Sequence, residues 1–265
     1  MQSSPGVPCN TTTFKDQLNI NDKSTVKKQK LLLLFIAACA IWNSTKAQSY
    51  TIESFEGTKV KIHFTRTSSW YGEAFSCLTD TLFLDDYGYA KEIHILKRKF
   101  LVIGYYTRGG SGFQCRNTII LSVKNNKINA AILVQSFGKS FGGDIDGSLY
   151  KVKFNITGND KSNFKLIAHI YDRHKSYAHP KTGYIKNKQV IFAFDPDQNI
   201  FYTARKKIAE SFTIDGSGGE SEKLAINETL PVICLDKNTY YYYIKGAWYQ
   251  TGEGDRLFKS FYKNP

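Results

Sequence analysis

Long apolar runs are missing from this chain. The longest, Leu31–Trp42, has 12 residues, whereas a bilayer-spanning helix needs about 20. No segment therefore reads as a membrane span. Arginine is scarce, supplying seven of the 36 basic side chains. Nucleic-acid readers lean on its bidentate fork, so the net charge of +13 does not read as a nucleic-acid surface. The five cysteines include no CxxC pair, which excludes zinc ribbons and dithiol redox motifs built on that spacing. Helical periodicity is also absent, and the best short candidate is Ala204–Phe212.

What is present begins with Lys27-Lys28-Gln29-Lys30, the apolar run and then Asn43–Gln48. A basic start, a short apolar core and a small residue before a cut describe a secretory signal peptide. It is preceded by a polar leader, residues 1–25, and Met1 is the only methionine. A GUG codon at Val26 would give a 22-residue signal, 26–47, and on that reading 1–25 is expected to be a start-site artefact. Cleavage is expected after Thr45-Lys46-Ala47, where the Ala-Gln junction resembles signal peptides of Gram-negative bacteria. Ile36-Ala37-Ala38-Cys39 resembles a lipobox and offers Cys39 as an alternative lipidation site. Against it, the apolar stretch ahead of Cys39 is short, and Ala40-Ile41-Trp42 follows where a polar tether is usual. The chain is thus expected in the periplasm, on the outer-membrane surface or outside a bacterial cell, with no span in its mature part.

The mature part, 48–265, has 218 residues, enough for a full core. Removing residues 1–47 takes away six lysines and two aspartates and leaves a balance of +9. Lysines spread over solvated strand faces account for most of this. Attraction to an anionic envelope polymer or headgroup is the second reading. Three cysteines remain, Cys77, Cys115 and Cys234, and an exported compartment permits a Cys77–Cys115 disulfide.

Period-two alternation runs through nearly every regular segment. Lys59–Thr65 sends Val60, Ile62 and Phe64 to one face; Tyr150–Ile156 repeats the pattern. These are half-buried antiparallel strands. The solidly apolar runs Phe100–Tyr106, Thr118–Val123, Ile128–Val134 and Val190–Phe194 suggest central strands covered on both faces. Asn125-Asn126, Gly158–Asp160, Asp195–Asn199 and Lys245-Gly246 supply hairpin turns. The expected fold is all-β: an antiparallel sandwich-like or barrel-like assembly of consecutive hairpins. A glycine-rich segment, Gly138–Ser148, allows two packed β subdomains, 48–137 and 149–265, as the alternative.

Several clusters invite chemistry. His169, Asp172, His174 and His179 are suitable metal ligands, but a strand would turn His169 and His174 to opposite faces. Asp195, Asp197 and Asn199 imitate a calcium loop, yet Ile200 and Lys206 stand where glycine and glutamate belong. Asp144 and Asp146 sit among glycines that loop geometry explains. Gly109–Gly112 and Gly216–Gly219 lack the following helix of a phosphate loop, and neither is G-x-S-x-G. No metal or cofactor is assigned. Glu73, Asp80, Asp85 and Asp86 could supply the carboxylate pair of a glycoside hydrolase, although nothing selects a pair.

Aromatic clustering is the stronger signal. Trp70, Tyr71, Tyr241, Tyr243 and Trp248 are the candidate ligand-binding residues, because aromatic faces stack on the C–H patches of sugars. Alternation in Tyr240–Tyr243 sends two rings to each face of a strand, one pair to the core and the other open to a ligand; packing in the core is the preferred reading of these aromatics, and an exposed platform for a glycan or peptide is the second. The expected function is a non-enzymatic, exported binding module for a glycan or anionic envelope polymer. A polysaccharide-degrading hydrolase using carboxylates in 67–90, and a structural or assembly component of the envelope, are the alternatives.

Overall fold

The computed structural model describes residues 48–66, 73–78, 80–84, 89–106, 113–140, 147–160, 163–175, 180–215, 221–235, 239–251, 256–259 and 261–263. All lie in the compact unit Ala47–Pro265. The leader 1–25, the signal 26–47 and Cys39 fall outside the described residues. Among those described, no helix is long and apolar enough to cross a membrane.

Among the described residues the regular elements are strands, apart from one 3-10 turn at Pro180–Thr182. Strands β1 (Gln48–Glu53), β2 (Lys59–Arg66), β3 (Glu73–Cys77) and β4 (Asp80–Leu84) pair in chain order as antiparallel neighbours. In β2, Val60 and Ile62 are buried between exposed Lys59, Lys61 and His63, as the alternation requires. The second sheet holds eight consecutive strands: β5 (Tyr89–Leu96), β6 (Phe100–Tyr106), β7 (Phe113–Lys124), β8 (Lys127–Ser140), β9 (Leu149–Thr157), β10 (Lys165–His174), β11 (Tyr184–Asp195) and β12 (Ile200–Tyr202). The third holds β13 (Ala204–Asp215), β14 (Ser221–Cys234), β15 (Tyr240–Ile244), β16 (Ala247–Thr251) and β17 (Arg256–Lys259). There β17 also runs parallel to β13, so the five strands close on themselves. A last strand, β18 (Phe261–Lys263), joins the first sheet beside β4.

The described residues are therefore all-β and, apart from that parallel contact, pair as antiparallel strands. The turns follow their residues. Asn125 and Asn126 take φ of +51° and +60° between Lys124 and Lys127, the twist-matched turn that asparagine tolerates. Lys245 and Gly246 do the same between Ile244 and Ala247. Gly158 has φ of +84°, and a Cβ there would run into the Asn163 carbonyl.

Three expectations need adjustment. Ala204–Phe212 is strand, because β13 pairs residue by residue with β14 from Ala204 to Asp215, which satisfies the backbone without helix. The run Val190–Phe194 is covered on one face only, with Phe192 buried and Ile191 56% exposed. Gly138, Lys139 and Ser140 belong to β8, and the second sheet takes strands from both sides of the glycine-rich segment.

The first two sheets share one core in a sandwich-like manner. Ile62, Phe75 and Leu82 from one belong with Leu101, Ile119 and Ile132 from the other to a single apolar cluster. Phe55, Phe100, Phe164, Phe194 and Phe201 add interlocking rings, the closest pair with centroids 4.9 Å apart. Each fully buried phenylalanine contributes about 1.5–3 kcal/mol of transfer free energy. A second cluster, around Ile208, Phe212, Ile226, Val232 and Tyr242, fills the five closed strands. The second sheet divides at β8: β9 pairs with it only at Phe137, Gly138 and Lys139.

Candidate functional site

The aromatic candidates do not share a surface. Tyr241, Tyr243 and Trp248 are 4%, 8% and 0% exposed and belong to the large core. Their polar tips meet β8, where β9 has parted from it. The Trp248 indole N–H donates to the Ala130 carbonyl at 2.8 Å, the Gln135 N–H to the Tyr241 hydroxyl at 3.1 Å, and the Tyr243 hydroxyl to Asn129 Oδ1 at 3.3 Å. The rings thus have no free face on which a sugar could stack. The alternation was legible, but β15 has a core on each side: Tyr242, pointing the other way, enters the second cluster. Burial pushes the Tyr243 hydroxyl up to about 12, with the Asp195 charge as a smaller cause. Trp70 and Tyr71 lie outside the described residues.

The carboxylates of 67–90 that can be described are structural. Glu73 is buried; one oxygen pairs with Arg66 Nε at 2.9 Å and the other accepts the Ala90 N–H. Asp80 accepts the Ile128 N–H at 2.7 Å. Asp85 and Asp86 lie outside the described residues, as do Asp144, Asp146, His179 and both glycine-rich loops.

Nor are the metal candidates gathered. On β10, His169 points outward, while Asp172 and His174 fall on the opposite face. Asp172 accepts from the Tyr184 hydroxyl at 3.1 Å, and His174 Nδ1 lies 3.1 Å from Ser148 Oγ. Asp195 organises its hairpin by accepting the Asp197 and Gln198 N–H groups and pairing with Arg205. Among the described residues, no three His, Cys, Asp or Glu side chains come together as a metal site. Cys77 and Cys115 are not joined by a disulfide. Cys77 is fully buried in the core, whereas Cys115 is half-buried on β7. Burial, and next the charge of Asp80, push the Cys77 thiol up.

A different surface has the shape of a binding site. The outer face of β9–β11 forms an open cavity of about 710 Å³. Leu149, Ile170 and Lys188 contribute to its lining, and its outward-facing polar residues are Lys151, Lys153, His169, Tyr171, Asn187 and Gln189. Alternation turns these residues outward, while Val152, Leu166, Ala168, Ile170 and Phe192 are buried behind them. Register then assembles two rows. Lys151 stands opposite Tyr171 and Tyr171 opposite Asn187; Lys153 stands opposite His169 and His169 opposite Gln189. Among the described lining residues none is a carboxylate, so together they carry positive charge. One aromatic ring, one imidazole, two amides and two ammonium groups can stack on, hydrogen-bond and neutralise an anionic, hydroxyl-rich ligand. The alternation of Tyr150–Ile156 had already placed the two lysines on a solvent face. Their neighbours across the sheet depend on register, which the sequence does not display.

No protein-family model matches this chain, and no curated protein or solved structure does so either.

Proposed function

We propose that this protein is an exported, non-enzymatic binding module of the bacterial envelope or exterior, and that it takes an anionic glycan on the outer face of β9–β11. The observation that carries the reading is the cavity of about 710 Å³ lined by Lys151, Lys153, His169 and Tyr171, with no carboxylate among its described lining residues. Export rests on the basic, apolar and small-residue sequence of 26–47. Cleavage after Ala47 is preferred to lipidation at Cys39. The +9 balance of residues 48–265 favours encounter with polyanions.

The test is binding of polygalacturonate, with neutral dextran as control, to the purified protein and to a Lys151→Ala/Lys153→Ala variant. The expected result is salt-sensitive binding of polygalacturonate alone, weakened at least tenfold by the double substitution. Two lost charge contacts of about 1 kcal/mol each give that factor. Equal affinity in wild type and variant, or release of new reducing ends, would overturn the proposal.

A further inference from the structure

The cavity is one end of a longer feature. Side chains that stand opposite each other in an antiparallel sheet project to the same side. Following the register from β5 to β11 gives an unbroken row. Tyr89 stands opposite Tyr106, Tyr106 opposite Arg116 and Arg116 opposite Phe137. Phe137 stands opposite Lys151, Lys151 opposite Tyr171 and Tyr171 opposite Asn187. Every member is exposed or half-buried. The row crosses from β8 to β9 through the three residue pairs that join those strands, so it follows the register at which the sheet is continuous.

Rings and cations are interleaved along it. Tyr89 and Tyr106 stack with centroids 5.5 Å apart and planes 18° apart. Lys91 Nζ lies 5.4 Å from the Tyr106 ring centre, and the Arg116 guanidinium 5.8 Å from that of Phe137. Arg116 Nη1 pairs with Glu92 Oε1 at 2.5 Å, which fixes the guanidinium across the row. One register step along, Lys139 stands opposite Leu149 and Leu149 opposite Arg173, adding positive charge to the same side. Six interstrand steps of about 4.8 Å make a track of roughly 29 Å. Neighbouring strands turn by about 20–25°, so the track is twisted and suits a single flexible chain.

Resting on the function proposed above, we infer that the ligand is a linear, carboxylate-bearing polysaccharide that lies across the strands from Asn187 to Tyr89. Its sugar faces meet the rings and its carboxylates meet Lys91 and Lys151, since Arg116 is paired with Glu92. The cavity is then the high-occupancy end of an extended site, and Tyr89, 49% exposed, is its far end.

The experiment is titration of the purified protein and its Tyr89→Ala and Tyr171→Ala variants with di-, tetra-, hexa- and octagalacturonate, with oligothymidylate as a second polyanion. Affinity should rise roughly tenfold from the dimer to the hexamer as subsites are filled, then level off. Tyr89→Ala should weaken the octamer about fivefold, the value of one aromatic contact, and leave the dimer unchanged. Tyr171→Ala should weaken every length. Affinity independent of length, or a Tyr89→Ala variant that binds the octamer like wild type, would overturn the extended track and leave the cavity standing. Tighter binding of oligothymidylate would overturn the polysaccharide assignment. Failure of every galacturonate to bind would take down the function itself.

Discussion

Trp248→Phe separates the two sets of aromatics. The indole of Trp248 is 0% exposed, and its N–H satisfies the Ala130 carbonyl at 2.8 Å. Phenylalanine keeps the apolar ring but leaves that carbonyl unpaired in the interior, at a cost of about 1–3 kcal/mol. The smaller ring leaves a void of about 40 Å³, worth about 1 kcal/mol at roughly 24 cal/mol per Å³. The sum is about 2–4 kcal/mol, or roughly 5–12 °C in Tm for a domain of this size. Urea unfolding followed by circular dichroism should show the midpoint falling with its slope unchanged. Affinity for polygalacturonate should not move, because Trp248 faces the core. Tyr171→Ala should behave oppositely, losing affinity severalfold while stability changes by less than about 1 kcal/mol. A Trp248→Phe variant with wild-type stability and impaired binding would refute the assignment of these rings to packing.

Other tests follow from named contacts. The Tyr243 hydroxyl ionises at about 12 in the folded chain against about 10 unfolded, so it favours folding fully below pH 10 and loses that contribution as pH rises towards 12. The difference is roughly 3 kcal/mol; denaturation midpoints across this window should fall more steeply for wild type than for Tyr243→Phe. Glu73→Ala should destabilise by about 1–3 kcal/mol, since the Ala90 N–H loses its acceptor and Arg66 its partner; chemical denaturation measures it, and no change would mean that the contact is idle. Cys77 should resist thiol reagents until the protein unfolds, as its burial and raised thiol pKa require. Rapid labelling of native Cys77, or a Cys77–Cys115 bridge in non-reduced mass spectra, would contradict its place in the core.

Alternation and turn chemistry made most of the fold legible. Lys59–Thr65 declares its buried face through Val60 and Ile62, and Asn125-Asn126 can hardly be anything but a tight hairpin turn. Ala204–Phe212 misled because Ile208 and Phe212 are four apart, a helical spacing, whereas both are buried positions on the inner face of a strand. The site was less legible for a related reason. Tyr240–Tyr243 looks like a platform because tyrosine can serve a ligand or a core equally well. Whether β15 has one core or two is a matter of tertiary packing. Lys151, Tyr171 and Asn187 are scattered along the chain and meet only through the register of three strands. Local pattern sets which face a residue takes, and long-range pairing sets its company.

The parting of β9 from β8 carries a liability for self-association. A strand that loses its neighbour offers open N–H and C=O groups to any other chain, and proteins guard such edges. Here the guard is made of side chains: an indole and a phenol occupy the main-chain groups of Ala130 and Gln135. Tyr241 and Trp248 therefore do the work of an absent strand. Stripping them away would expose an apolar strand, Ile128–Val134, ready to pair with its own kind, and the first consequence would be oligomers and fibres.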